Sequence, residues 1–286
     1  MNKPLLTVAC ALLASAASAQ TTLHVSPDGR GDGSKWSQAA SLHDALSKAR
    51  AGDQLWLEGG TYLTSATGDR DATFAVPSGV AVYGGFAGKE GRVQARKPQA
   101  HPTVLSGEIG GTGRDDNAYT VLTLTDASSQ TLVDGVVVER AYADGAGPTA
   151  DARRAGGGVL VNTSGPGLTS SPILKDVVFR YNFARDGGAV YNDGRRHGIA
   201  SPKFTACRFE ANVANYGAAL FNQATKGTTQ PVAQACIFKR NRAYVRGASL
   251  YTIDNQGDSD AELVDCVFDD RTDPSPRDTD LARGDD

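Results

Sequence analysis

The sequence predicts an all-β fold: a right-handed parallel β-helix built from coils of about thirty residues, with a short N-terminal capping helix. The first observation is a repeat. Gly157-Gly158-Val159-Leu160-Val161-Asn162 aligns with GGAVYN from Gly187, GAALFN from Gly217 and GASLYT from Gly247, at steps of thirty residues. The second is an interleaved motif with the same period: VVFRYN ending at Asn182, CRFEAN ending at Asn212, CIFKRN ending at Asn241, and a last copy at Cys266-Val267-Phe268. The third is punctuation. Pro172, Pro202 and Pro231 mark the start of the strand before that motif, and 33 glycines in 286 residues imply many tight turns. Each repeat holds about three strand-like runs and has no room for a helix, so it can bury an apolar face only by stacking on its neighbours.

The first nineteen residues read as an export signal. Lys3 supplies a positive start, Leu5–Ala14 is apolar but too short to span a bilayer, and Ala17-Ser18-Ala19 offers a cleavage site before Gln20. Cys10 is a poor lipid anchor, because almost no apolar segment precedes it. No later stretch is long and apolar enough for a membrane helix. Residues 20–269 are therefore expected to form the β-helix of a protein that is secreted, periplasmic or displayed on a bacterial cell surface.

From Gln20 onward, Ser41–Arg50 is the one amphipathic helix, with Leu42, Ala45, Leu46 and Ala49 on one face. It is expected to cap the open end of the solenoid. Strands are predicted at Gln54–Leu57, Thr73–Val76, Val80–Tyr83, Thr103–Leu105, Val121–Leu124 and Thr131–Val138. In the regular coils, alternation points Val190, Leu220 and Leu250 inward, with Asn192 and Asn222 on the same side at a turn, bonding the coils above and below. Phe179, Phe209, Phe238 and Phe268 form an interior stack beside Val177, Cys207, Cys236 and Cys266, whose cysteines act as small buried hydrophobes. The next residue of each coil runs Glu139, Arg180, Glu210, Lys239, Asp269. Its sign alternates at every step, as outward charges on neighbouring strands require. Residues 270–286, charged and nearly without apolar side chains, read as a disordered tail.

The formal net charge of −3 becomes −4 without Lys3, so no basic character points to nucleic acid. Three cysteines outside the signal cannot all pair, which argues against a disulfide framework. His24, His43, His101 and His197 are scattered and make no metal signature, and Asp28–Gly33 has Arg30 where a calcium loop needs an oxygen ligand. No cofactor is expected. The triplets Arg30-Gly31-Asp32 and Arg283-Gly284-Asp285 lie in segments rich in Gly and Asp, where such triplets arise by chance.

The FxxN segments (FRYN, FEAN, FKRN) and the GGA-type segments (GGGV, GGAV, GAAL, GASL) resemble the repeats of chlamydial-type polymorphic outer-membrane proteins, within the pectin-lyase-like β-helix superfamily. The runs LHVSPDGRGDGSKW, AGDQLWLEGGTY and GVAVYGGFAGKE are similar to the beginnings of many bacterial secreted β-helix proteins. The resemblance covers roughly residues 23–268 and implies the fold. It says little of function, because these motifs are structural ladders. The polymorphic proteins end in an outer-membrane barrel and this sequence ends at Asp286, so display through its own barrel is not expected.

Two features are candidate binding surfaces. Val161, Tyr191, Phe221 and Tyr251 share outward parity and would form an aromatic stripe on which sugar rings can stack, although such a ladder also stabilises a sheet by itself. Arg195, Arg196 and His197, with Lys226 one coil on, break the repeat pattern. They form a basic edge suited to the carboxylate or sulfate groups of an acidic polysaccharide, or else ordinary solvated charge. The irregular loop Tyr142–Ala155, with Arg153 and Arg154, would wall the same groove. The same cations have the chemical types a polysaccharide lyase needs. For a glycosidase, Asp186 and Glu210 do not stand out among the acids. The expected function is therefore a monomeric, non-catalytic β-helix that binds polysaccharide or a cell-surface polymer. A polysaccharide lyase and an envelope scaffold are the alternatives.

Overall fold

The computed structural model describes residues 20–111, 113–148 and 151–269, together with the backbone of Leu281–Gly284. The export segment lies outside the described residues. The chain is a parallel β-helix whose coils contribute strands to five parallel sheets. The first face has eight strands, from Thr22–Val25 and Gln54–Glu58 to Lys203–Thr205, Val232–Gln234 and Glu262–Val264. The second runs from Gly60–Leu63 through Val136–Glu139, Val178–Arg180, Arg208–Glu210 and Ile237–Lys239 to Val267–Asp269. The third comprises Tyr142–Ala143, Phe183–Asp186, Val213–Tyr216 and Arg242–Arg246. The fourth runs from Phe74–Ala75 through Val159–Asn162, Val190–Asp193, Leu220–Gln223 and Leu250–Ile253 to Leu281–Gly284. Two-residue strands such as Ile199–Ala200 and Thr228–Thr229 make the fifth.

Single left-handed residues turn the corners. Between the first two faces stand Gly135, Asp176, Ala206, Ala235 and Asp265, with φ between 51° and 73°. For this reason the predicted strand Thr131–Val138 is two strands, Leu132–Asp134 and Val136–Glu139, on different faces with Gly135 between them. Arg140, Tyr181, Ala211 and Arg240 make the second corner, Gly156, Gly187, Gly217 and Gly247 the one before the fourth face. A Cβ at Gly187 would meet the Val190 carbonyl oxygen at 2.7 Å, so glycine is needed there for room as well as for φ.

The interior is continuous from Val25 to Leu250. Phe179, Phe209, Phe238 and Phe268 stack face to face at 4.8, 4.7 and 4.9 Å, with Cys207 and Cys236 fully buried beside them. Val190, Leu220 and Leu250 pair in register and are buried, as predicted. The charge column is also in register, and Arg180 Nε donates to Glu139 Oε2 at 2.6 Å.

Buried asparagines tie the coils together. Asn212 Nδ2 donates to the Phe179 carbonyl at 2.9 Å and to Asn241 Oδ1 at 3.0 Å, and Asn212 Oδ1 accepts from the backbone N–H and Nδ2 of Asn182. Asn192 donates to Asn222 Oδ1 at 2.8 Å in a second, simpler ladder.

The capping helix spans Leu42–Lys48. Ser41 accepts from the Asp44 N–H at its start, and Leu42, Ala45 and Leu46 are buried against the first strands of the first and fourth faces. At the other end the expected disordered tail is in part structured. Leu281–Gly284 pairs in parallel with Leu250–Ile253, so its backbone satisfies an otherwise open strand edge. Residues 270–280, 285 and 286 lie outside the described residues.

Candidate functional site

The predicted aromatic stripe exists in register but is not a surface. Tyr191 pairs with Phe221 and Phe221 with Tyr251, and the residue before Tyr191 in the column is Leu160, not Val161. The first repeat step is therefore 31 residues, and Val161 points inward. Tyr191 and Phe221 stack at 4.8 Å, and Tyr191, Phe221 and Tyr251 are 0%, 2% and 6% exposed. Ala152, Ala155 and Tyr216 pack over them and cover this face. A stripe that the fold itself buries contributes packing and cannot serve as an open platform.

The basic edge is also more regular than its sequence. Gly194–Gly198, Ala224–Gly227 and Asp254–Gly257 are tight turns stacked coil on coil, joined by Arg196 N–H to the Thr225 carbonyl at 3.3 Å and Lys226 N–H to the Asn255 carbonyl at 3.0 Å. Arg195 is bound to Asp193 in a bidentate pair at 2.9 and 3.1 Å, which removes it from the pool of free cations. Arg196, His197 and Lys226 are exposed and make no ion pair among the described residues. Arg195 and Arg196 border a recess of about 140 Å³ formed with Thr163–Pro166. Arg153 and Arg154 do not wall this recess. Arg153 pairs with Asp71 at 2.7 Å, and Arg154 reaches Asp186 at 3.0 Å over the buried aromatic column.

The exposed aromatics lie elsewhere, on the third face. Tyr142 and Phe183 are register partners with ring centroids 4.7 Å apart, and Tyr181, at the left-handed corner, is 56% exposed. The guanidinium of Arg114 sits 4.8 Å from the Tyr142 ring centroid and 6.0 Å from that of Phe183. Together with Glu108, Arg140 and Val213 these residues line an open trough of about 420 Å³. Glu108 and Arg140 are paired at 3.0 Å across its rim. The alternation of the short strands creates the site: Phe183 and Val213 point out while Ala184 and Ala214 are fully buried. Sequence reasoning passed over Arg114, Tyr181 and Phe183. The signal was there, because the residues flanking the ladder asparagines change from coil to coil (Tyr-Asn-Phe, Ala-Asn-Val, Arg-Asn-Arg) where the fold demands only the asparagine.

A second concavity, of about 210 Å³, lies between Arg154, Asp186, Tyr216, Gln223 and Tyr251. Burial raises the Asp186 carboxyl above the usual carboxylate range, against the opposing pull of Arg154. A larger groove of about 960 Å³ runs along the second face beside Lys97–Ala100 and Pro102, over Val137, Val178 and the charge-column residues Arg180 and Glu210. Among the described residues no group of three or more His, Cys, Asp or Glu side chains could hold a metal ion, and no helix is long and apolar enough to cross a membrane.

Residues 25–175 match the model of a sequence family described as a protein of unknown function, DUF1565. The chain belongs to the DUF1565 family. The matched segment holds the cap, the first coils, Arg114, Tyr142 and the loop with Arg153 and Arg154, and it stops before Tyr181 and Phe183. No curated protein matches this DUF1565 chain. Among solved structures it is similar to pectate lyase Pel9A, at 11% identity over 86% of this chain and 77% of that one, with a TM-score of 0.41. It is also similar to the pectin methylesterase from Aspergillus niger, at 13% identity over 92% and 88% of the two chains, with a TM-score of 0.34. These likenesses concern the fold alone.

Proposed function

We propose that this DUF1565 protein is an exported, non-catalytic β-helix that binds polysaccharide along its third face. The observation that carries the reading is the trough itself: the exposed Tyr181 ring, the half-buried rings of Tyr142 and Phe183, and the Arg114 guanidinium beside them. Flat aromatic surface with a few polar groups at its rim suits a sugar ring, whose faces are apolar and whose edge is hydroxylated. The floor costs nothing to order on binding, since the strands beneath it are already fixed by the asparagine ladder. Binding without turnover fits the one carboxylate, Glu108, that lines the trough among the described residues, because glycoside hydrolysis needs two facing carboxyl groups and this one is ion-paired to Arg140.

Affinity electrophoresis of the chain from Gln20 through gels containing neutral and acidic polysaccharides tests this. At least one polymer should retard the parent, and the Tyr181→Ala/Phe183→Ala variant should migrate freely in it. Equal retardation of the two proteins by every polymer that binds, or no retardation at all, would reject the trough as a glycan site.

A further inference from the structure

A second recess lies beside Ala152 and Ala155, where these residues pack over the fourth face. In-register pairing sets Asp186 beside Tyr216, and the outward parity of the fourth face presents Phe221, Gln223 and Tyr251 next to them. Arg154 descends from the loop, held by the Gly147 carbonyl at 3.2 Å and by Asp186 Oδ2 at 3.0 Å. The recess opens to solvent and has a volume of about 210 Å³, the scale of a single small ring and too small for a polymer segment.

Its polar groups are unusually deep and only partly used. Asp186 is 5% exposed and Gln223 6%. Gln223 Oε1 accepts from Thr225 Oγ1 at 2.9 Å, while its Nε2 makes no hydrogen bond among the described residues. Asp186 Oδ1 is likewise without a donor among them, since Arg154 binds the other oxygen. Beneath, the fully buried Tyr191 hydroxyl lies near Gln223 with no hydrogen-bond partner among the described residues. The Asp186 and Gln223 side chains both line the recess, without a partner for Oδ1 and Nε2 among the described residues, so a polar guest entering it meets an acceptor and a donor side by side.

The charge balance selects the guest. Arg154 and Asp186 cancel, which removes the attraction a uronate, sulfate or phosphate would need. What remains is one acceptor (Asp186), one donor (Gln223) and aromatic edges from Tyr216 and Tyr251. Adjacent hydroxyl groups match that set, one donating to the carboxylate while its neighbour accepts from the amide. We infer that the recess formed by Arg154, Asp186, Tyr216, Gln223 and Tyr251 binds one neutral sugar ring through a pair of vicinal hydroxyls. The site stands apart from the trough and does not depend on it.

Saturation-transfer NMR of the chain from Gln20 with glucose, galactose, mannose and N-acetylglucosamine, and with galacturonate as the anionic counterpart, tests the inference. Transfer is expected to at least one neutral sugar and not to galacturonate. Gln223→Ala and Asp186→Asn should each weaken it by about tenfold, the scale set by losing one hydrogen bond to a ligand. Tyr181→Ala, in the trough, should leave it unchanged, so loss of trough binding and loss of this site are told apart. Thermal melts identify any variant that fails to fold. Should Asp186→Asn unfold, the Gln223→Ala protein is sufficient by itself. Transfer to galacturonate only, no transfer to any sugar, or undiminished transfer to a folded Gln223→Ala protein would overturn the inference.

Discussion

Replacing Asn212 by alanine tests what holds the coils in register. Its side chain makes four hydrogen bonds in a fully buried site: to the Phe179 carbonyl, to Asn241 Oδ1, and from both the backbone N–H and Nδ2 of Asn182. After truncation, Asn182 Nδ2 keeps the Val138 carbonyl and Asn241 Oδ1 keeps the Asn212 N–H, but the Asn182 backbone N–H is stranded. One orphaned buried donor costs about 1–3 kcal/mol and each other lost bond about 1 kcal/mol net, so the variant should lose about 4–6 kcal/mol. In a domain of this size that corresponds to a fall in Tm of about 10 °C. Asn222 is equally buried, yet its side chain only donates to Thr252 Oγ1 at 3.4 Å and accepts from Asn192 at 2.8 Å. Asn222→Ala strands no backbone group, only the buried Asn192 amide, and should cost about 2–4 kcal/mol. Guanidinium unfolding followed by far-UV circular dichroism gives both values. A cost below about 1 kcal/mol for Asn212→Ala, or one no larger than for Asn222→Ala, would refute the view that the ladder acts by satisfying turn backbone.

Two further outcomes follow from local geometry. Ala206 and Ala235 turn the first corner with φ of 53° and 54°, a conformation that costs a residue with a Cβ about 1–2 kcal/mol, and both are exposed. Glycine relieves that strain and loses about 0.5–1 kcal/mol of it to chain entropy, so Ala206→Gly and Ala235→Gly should each raise stability by about 0.5 kcal/mol, read as a higher denaturation midpoint at unchanged m-value. Glu90 titrates with a consequence for stability. Burial opposes its ionisation, but the N–H groups of Ala87 and Lys89, at 2.8 to 3.1 Å, outweigh this and hold its carboxyl below the ordinary glutamate range. Because the folded state favours the charged form, its contribution is complete above the unfolded value of about 4.3 and disappears as the pH falls through the lower folded value. Melts of the parent between about pH 3 and pH 6 should therefore fall more steeply with acid than those of Glu90→Gln, and parallel curves would exclude this role.

A fold of stacked coils explains why so much of it was legible in the sequence. Val190, Leu220 and Leu250, the phenylalanine stack, the cysteine column and the alternating charges all recur at nearly constant spacing, because each position meets the same position one coil away. The residues of one column share one environment, so one alignment assigns them all. Even the error at Val161 has this cause: the 31-residue step into the second regular coil slips the alignment by one and exchanges inside for outside. The binding surfaces depend on relations that no period encodes. Whether Tyr191, Phe221 and Tyr251 are open or covered was decided by where Ala152–Ala155 lands, with Arg154 on Asp186 and Arg153 on Asp71. Arg195 was a free cation in sequence and a bound one once its backbone turned it toward Asp193. Arg114 and Tyr142 meet across a gap in sequence that only the winding of the chain closes. Periodic contacts are local to the repeat and can be read from it. Exposure, pairing of charges and the shape of a recess arise where non-repeating loops land, and these belong to the tertiary structure alone.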